Sequence, residues 1–175
     1  MAETKYGKYI ITKTPENPIH RRLRFGTPLY NVIWVNNEVN GAVKGAPYLE
    51  CQMVSQASPE RIKTKPHNHD FDEYLIFMGT NPDDPLDLGG EVELWMGEEG
   101  EKHFITQSCA VFIPKGMYHL PLYYNRVDRP MVVVITGNTL KYRHLSYSQQ
   151  PEWADGREST DLDNYLKELY SKGSE

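Results

Sequence analysis

Through the middle of the chain, short runs of β-branched, aromatic and aliphatic residues alternate with clusters of Gly, Pro, Asn and Asp, the pattern of strands cut by turns. Seven such runs predict strands at 29–35, 48–55, 74–78, 91–96, 102–106, 110–113 and 131–136. Segment 36–47, with Asn36-Asn37, Asn40-Gly41 and Gly45, predicts a loop, as does 81–90 with Asn81-Pro82-Asp83-Asp84-Pro85 and Gly89-Gly90. Glu98-Glu99-Gly100 predicts a hairpin connection. Within 48–55, Cys51 shares a face with Leu49 and Met53 and is expected to pack in the core. In 91–96, Glu91 and Glu93 alternate with Val92 and Leu94, which predicts one polar and one buried face.

The period changes near the end. Leu162, Tyr165, Leu166, Leu169 and Tyr170 recur at the spacing of one helical face. This predicts an amphipathic helix at about 160–172, capped by Ser159 or Thr160, started by Asp161 and Asp163 and stopped at Lys172-Gly173. It is expected to pack on the outside of the β domain or on a second copy. Seven short strands and one helix predict an all-β sandwich or barrel, in a single domain over 1–175 with the barrel at about 29–136.

Length and composition agree with one core: 175 residues, of which 39% are hydrophobic. No wholly apolar stretch approaches the roughly 20 residues of a spanning helix. With no apolar targeting segment after Met1, a cytoplasmic protein without a membrane partner is expected. Two cysteines, Cys51 and Cys109, form neither a multi-bridge scaffold nor a C-x-x-C pair, so reduced thiols are expected. A net charge of −5 argues against binding nucleic acid through bulk electrostatics. The charge is unevenly spread, since eleven of the 24 acidic residues lie in 66–101, where no Lys or Arg occurs. Asp83, Asp84 and Asp87 lack the alternation and distal Glu of an EF-hand, so a solvated loop and hairpin account for most of that run.

The chemistry concentrates in Pro66-His67-Asn68-His69-Asp70-Phe71-Asp72-Glu73. On an extended chain His67, His69, Phe71 and Glu73 point to one side, so two imidazoles and a carboxylate converge while Asp70 and Asp72 point away. A second motif, Ile113-Pro114-Lys115-Gly116-Met117-Tyr118-His119, brings another histidine forty-six positions after Glu73, behind a Pro and a Gly suited to a tight turn. Three imidazoles and one carboxylate suit a divalent Fe, Mn, Ni, Co or Zn ion and leave octahedral positions open. His20, His103 and His144 have no partners at ligand spacing.

The arrangement His67-x-His69-x-x-x-Glu73-x-x-x-x-x-Gly79, followed by Pro114-x-Gly116-x-x-His119, closely resembles the two motifs of the cupin superfamily, small β-barrel proteins with a metal inside the barrel. The resemblance covers 66–79 and 113–119 and implies a cupin-type jelly-roll β-barrel, here with a C-terminal amphipathic helix. It also implies His67, His69, Glu73 and His119 as the metal ligands. The chain departs from the family's pattern at turns, with Arg61 and Ser108 where glycines are common and Tyr123 where an asparagine is common.

The expected function is a metal-dependent enzyme acting on a small polar or anionic organic molecule, with an Fe-dependent dioxygenase first and an isomerase or lyase, or a non-catalytic small-ligand binder, as alternatives. Glu73 is the ligand placed to act in catalysis, and Tyr118, beside His119, is the candidate general acid. The resemblance implies a homodimer. Arg24, Lys65, Arg126 and Arg129 are the cations that would receive an anionic substrate.

Overall fold

The computed structural model describes residues 5–12, 29–35, 43–58, 62–63, 66–142 and 157–158. A 3-10 turn, Gly7–Tyr9, precedes the strands. These are β1 (Leu29–Val35), β2 (Leu49–Val54), β3 (Ile62–Lys63), β4 (Glu73–Met78), β5 (Asp87–Met96), β6 (Glu101–Gln107), β7 (Cys109–Ile113), β8 (His119–Val127), β9 (Met131–Gly137) and β10 (Arg157–Glu158). One antiparallel sheet has the order β1-β2-β9-β4-β7 and a second the order β6-β5-β8, while β3 and β10 form a short parallel pair. This is the all-β jelly-roll architecture that the motifs imply. The expected helix at 160–172 lies outside the described residues. Among the described residues no helix is long and apolar enough to cross a membrane.

Alternation fixes what lines the interior. On β9 Met131, Val133 and Ile135 are buried, and on β4 Glu73, Leu75 and Phe77 are buried while Tyr74 and Met78 are exposed. They join Trp34, Tyr48, Val54, Phe71, Leu88, Val92, Leu94, Ile113, Leu120, Leu122 and Tyr124 in one core.

Strand β2 reverses the expected assignment. Glu50, Gln52 and Val54 are buried, whereas Leu49, Cys51 and Met53 are half-buried. The register is the cause: Glu50 pairs with Ile135 and Gln52 with Val133, both inward on β9, so the same parity of β2 must face inward despite its polar side chains. Burial pushes the Cys51 and Cys109 thiols above their ordinary range, and both are free. Glu93 corrects a second expectation. It is buried, accepting from Trp95 Nε1 at 2.6 Å and from Asn125 Nδ2 at 3.1 Å, so the polar side chain of this strand is enclosed along with its apolar neighbours.

The sequence pattern predicts no strand where β8 runs, because Pro121 interrupts the apolar run. It is accommodated because β8 is an edge strand whose pairing with β5 shifts register between Leu94 and Met96. Strand β5 also starts earlier than expected, taking in Gly89-Gly90. Gly90 sits where a Cβ would lie 2.3 Å from the Arg126 carbonyl oxygen, so a glycine that reads as a loop signal is a close-approach residue within a strand.

The start of β5 carries an acid-sensitive contact. Asp87 accepts from the Gly89 amide at 2.9 Å and pairs with Arg129, and these hold its carboxyl below the usual carboxylate range, the Gly89 bond contributing most. Its folded value lies below the unfolded one, about 3.9. Its stabilisation is therefore complete above the unfolded value and lost as pH falls through the folded one. In Asp87→Asn the stability is expected to decline less steeply between roughly pH 4 and pH 2. Chemical denaturation across that range checks this, and an unchanged slope contradicts it.

Candidate metal centre

The two motifs meet through the backbone before their side chains do. His67 and His119 form an isolated antiparallel bridge, with the His67 amide donating to the His119 carbonyl at 3.1 Å and the His119 amide donating back at 3.0 Å. The Gly116 amide donates to the His69 carbonyl at 2.9 Å, and Asn68 Nδ2 donates to the Gly116 carbonyl at 3.2 Å. Pro114 to Met117 closes a turn in which Gly116 has φ +85°, a left-handed value that a side chain disfavours. Asp72 points away from the histidines, as the pleat predicts. Its Oδ1 accepts from the Lys115 amide at 2.9 Å, and its Oδ2 accepts from Asn138 Nδ2 at 3.1 Å. It thereby ties the start of β4 to the second motif and to the end of β9.

The side chains expected as ligands gather inside the sandwich although 66–72 is not one continuous strand. His67 is 4% exposed, His69 2%, Glu73 1% and His119 2%. One nitrogen from each of the three histidines falls in a group within 4.8 Å. Glu73 Oε2 is 3.1 Å from His119 Nε2 and 3.7 Å from His69 Nε2. Neither contact has hydrogen-bond geometry, so both oxygens of this buried carboxylate are without a hydrogen bond. His119 Nδ1 lies 3.3 Å from the Met117 carbonyl, and its Nε2 faces Glu73.

A divalent ion fits this donor set. Bonds of about 2.1 Å at right angles put adjacent ligand atoms about 3 Å apart and opposite ones about 4 Å apart. The 3.1 Å Glu73 to His119 spacing already matches an adjacent pair, and the histidine group needs a slight contraction.

Aromatic rings wall the cluster. Phe71 stacks on His69 with centroids 4.6 Å apart. Tyr142 packs 4.9 Å from His69 and 4.7 Å from Tyr48, with its hydroxyl 3.5 Å from His67 Nε2. Tyr48 in turn donates to Glu50 Oε2 at 2.7 Å, both residues being buried. Sequence reasoning missed Tyr142, Tyr48 and Glu50. Tyr142 stands in no motif, and Glu50 lies on the face of β2 that the apolar pattern assigns to the outside.

Tyr118 is half-buried ahead of β8. Its carbonyl accepts from the Gly97 amide, and among the described residues its hydroxyl makes no hydrogen bond. Arg24 and Lys65 lie outside the described residues. Arg126 pairs with Asp128 and Arg129 with Asp87. Both sit toward the Gly90–Val127 end of the β5–β8 pair, whereas His119 lies at the Met96 end. The strand direction thus separates these two arginines from the histidines.

No known family model matches the chain, and no curated protein matches it by sequence. Among solved structures it is similar to the polyketide cyclase RemF from Streptomyces resistomycificus, with 17% identity and a TM-score of 0.41 over 83% of this chain and 82% of that one. It is also similar to an oxalate decarboxylase (12% identity, TM-score 0.44, 71% of this chain and 29% of that one). A third is the capsular polysaccharide assembling protein CapF from Staphylococcus aureus, with 13% identity and a TM-score of 0.39 over 77% of this chain. The chain spans less than a third of the length of the latter two, 29% and 30%. By its own strand order, and by the meeting of both motifs inside the sandwich, the chain has an all-β jelly-roll fold in which the two cupin-like motifs converge.

Proposed function

We propose that the chain is a metal-dependent enzyme in which His67, His69, Glu73 and His119 hold one divalent cation that receives a small polar organic molecule, with an Fe-dependent dioxygenase as the first reading. The observation that carries this is Glu73. A carboxylate 1% exposed, without a hydrogen bond and facing imidazole nitrogens, is costly in a protein interior unless a cation completes it. Four protein ligands leave two positions of an octahedron for exchangeable ligands, as an enzyme requires and a closed structural site does not. A bound divalent ion supplies Lewis-acid polarisation of substrate oxygens and, as iron(II), access to O2 chemistry.

The protein's own residues do the rest. Burial of the cluster excludes water, the Asp72 contacts hold the second motif against the first, and the aromatic wall of Phe71, Tyr48 and Tyr142 limits the orientations open to a substrate. An isomerase or lyase is the second reading, favoured by the buried Tyr48–Glu50 pair, a phenol and a carboxyl group able to exchange a proton within the same interior.

Protein purified without oxygen is expected to contain about one equivalent of divalent metal. With iron bound, it is expected to consume O2 when supplied with diketones, phenols or thiols. A protein with no stoichiometric metal contradicts the centre. An iron-loaded protein that consumes no O2 with any of the three classes removes the dioxygenase reading and leaves the isomerase or lyase, or a non-catalytic small-ligand binder.

A further inference from the structure

We propose that the outer face of the five-stranded sheet is the surface through which two copies of this chain pair, independently of the ligand set proposed above. An antiparallel sheet with one face in water alternates apolar inward and polar outward residues. This sheet is apolar on its outer face as well. On β4 and β7 the outward residues are Tyr74, Ile76, Met78, Ala110 and Phe112, all exposed except the half-buried Ile76. On β9 and β2 they are Val132, Val134, Thr136, Leu49, Cys51 and Met53, all half-buried. The register joins them into three rows across the sheet. Phe112 pairs with Tyr74, Tyr74 with Thr136 and Thr136 with Leu49. Ala110 is joined in the same way to Ile76, Val134 and Cys51, and Met78 to Val132 and Met53. None of these residues is charged, and the Thr136 hydroxyl already donates to the Tyr48 carbonyl at 2.8 Å.

The size and charge of the face fit a second copy. Five strands about 4.8 Å apart and three outward rows about 6.7 Å apart give a face of about 24 by 20 Å, or about 480 Å². Two copies that bury it against each other remove about 1,000 Å², the area at which a specific interface begins. The chain has a net charge of −5, so two copies meet with the least repulsion where neither presents a charge. A strongly charged partner would find nothing to pair with there. Two flat apolar sheets stack about 10 Å apart with their side chains interdigitated, and a two-fold axis brings the same residues from both sides. Val134, on the middle strand and in the middle row, lies at the centre of this contact. The Tyr74 and Phe112 rings, with centroids 5.1 Å apart, lie toward its β7 edge. The smaller sheet differs, because Lys102 puts a charge on its outer side, 4.1 Å over the Trp95 ring.

The test is analytical ultracentrifugation of the full chain over a range of concentrations, with Val134→Asp at the centre of the face and Phe112→Glu and Met78→Glu at exposed positions on it. Wild type is expected to show the mass of two copies at about 100 µM and to dissociate on dilution. Each variant is expected to raise the dimer dissociation constant by about 30-fold or more, since pairing would bury an unpaired charge in both copies. If Val134→Asp fails to fold, the other two carry the result, because Phe112 and Met78 are 48% and 41% exposed. Phe104→Glu, at an exposed position on the outer side of the smaller sheet, is the control and is expected to change the constant by less than about twofold. Wild type with the mass of one copy at every concentration overturns the proposal. So does a dimer that Phe112→Glu and Met78→Glu leave intact, which puts the interface elsewhere. A single copy whose melting temperature falls in both variants equally at all concentrations gives the face to segment 160–172 of the same chain. A single copy that sediments with neutral phosphatidylcholine vesicles gives it to a membrane.

Discussion

Glu73→Gln is expected to make the metal-free protein more stable while lowering its affinity for a divalent cation by more than about 100-fold, the upper range for loss of a mere supporting contact. The two effects have one origin. Glu73 is 1% exposed and both its oxygens are without hydrogen bonds, so without a cation the fold contains a buried carboxylate that accepts no hydrogen bond. Glutamine keeps the shape and removes the charge. Removing the buried charge lowers the desolvation cost by about 1–3 kcal/mol, although the amide's own polar atoms stay buried. The wild type gains the opposite way, since a ligand that binds only the native state stabilises it in proportion to the logarithm of its concentration over Kd. Thermal melts in chelator and in added Co(II) separate the terms. Glu73→Gln should melt above wild type in chelator and show almost no rise with Co(II). A variant that melts below wild type in chelator would mean that Glu73 is already satisfied by an imidazolium. A variant that keeps the full Co(II) response would take Glu73 out of the ligand set.

Gly79→Ala is expected to cost about 3 kcal/mol or more, the upper end for forcing atoms into a filled interior. A Cβ at this position would lie 2.0 Å from the Asp87 carbonyl oxygen and 2.9 Å from its carbon. Both belong to the backbone, so no side-chain rotation relieves the overlap. The closeness is maintained by Ser108, whose Oγ accepts from the Gly79 amide at 2.9 Å and donates to the Pro85 carbonyl at 2.7 Å. The glycine that ends the first motif is thus required by the crossing from β4 to β5, and the serine that departs from the family's pattern secures that crossing. At roughly 2–4 °C per kcal/mol for a chain of this size, the melting temperature should fall by about 6–12 °C. A melt within about 2 °C of wild type would show that the two strands separate at little cost.

Much of the centre was legible because its residues are close in sequence and few in kind. His67, His69 and Glu73 fall within seven positions, and Pro114-x-Gly116 supplies a turn whose φ requirement points to glycine. The strands with plain alternation, β4 and β9, were legible for the same reason. Strand β2 was not, because burial there follows its neighbour's register, and register between β2 and β9 involves residues 77 to 87 positions apart. Strand β8 was hidden by Pro121, whose effect depends on lying at a sheet edge. Tyr142 carried no signal at all. Its importance comes from where the chain goes after β9, and nothing in the spacing of its neighbours marks it.

The proposed ligands are divided between the sheets. Glu73 opens β4 in the five-stranded sheet and His119 opens β8 in the three-stranded one, forty-six positions downstream. Closing a loop of that length is an entropic cost that only the finished sandwich repays. During folding, a chain that has formed one sheet presents just His67, His69 and Glu73, too few donors in too loose a geometry to hold an ion firmly. On the proposed ligand set, metal capture is expected to be a late event, and the affinity of the centre to report on whether both sheets have come together.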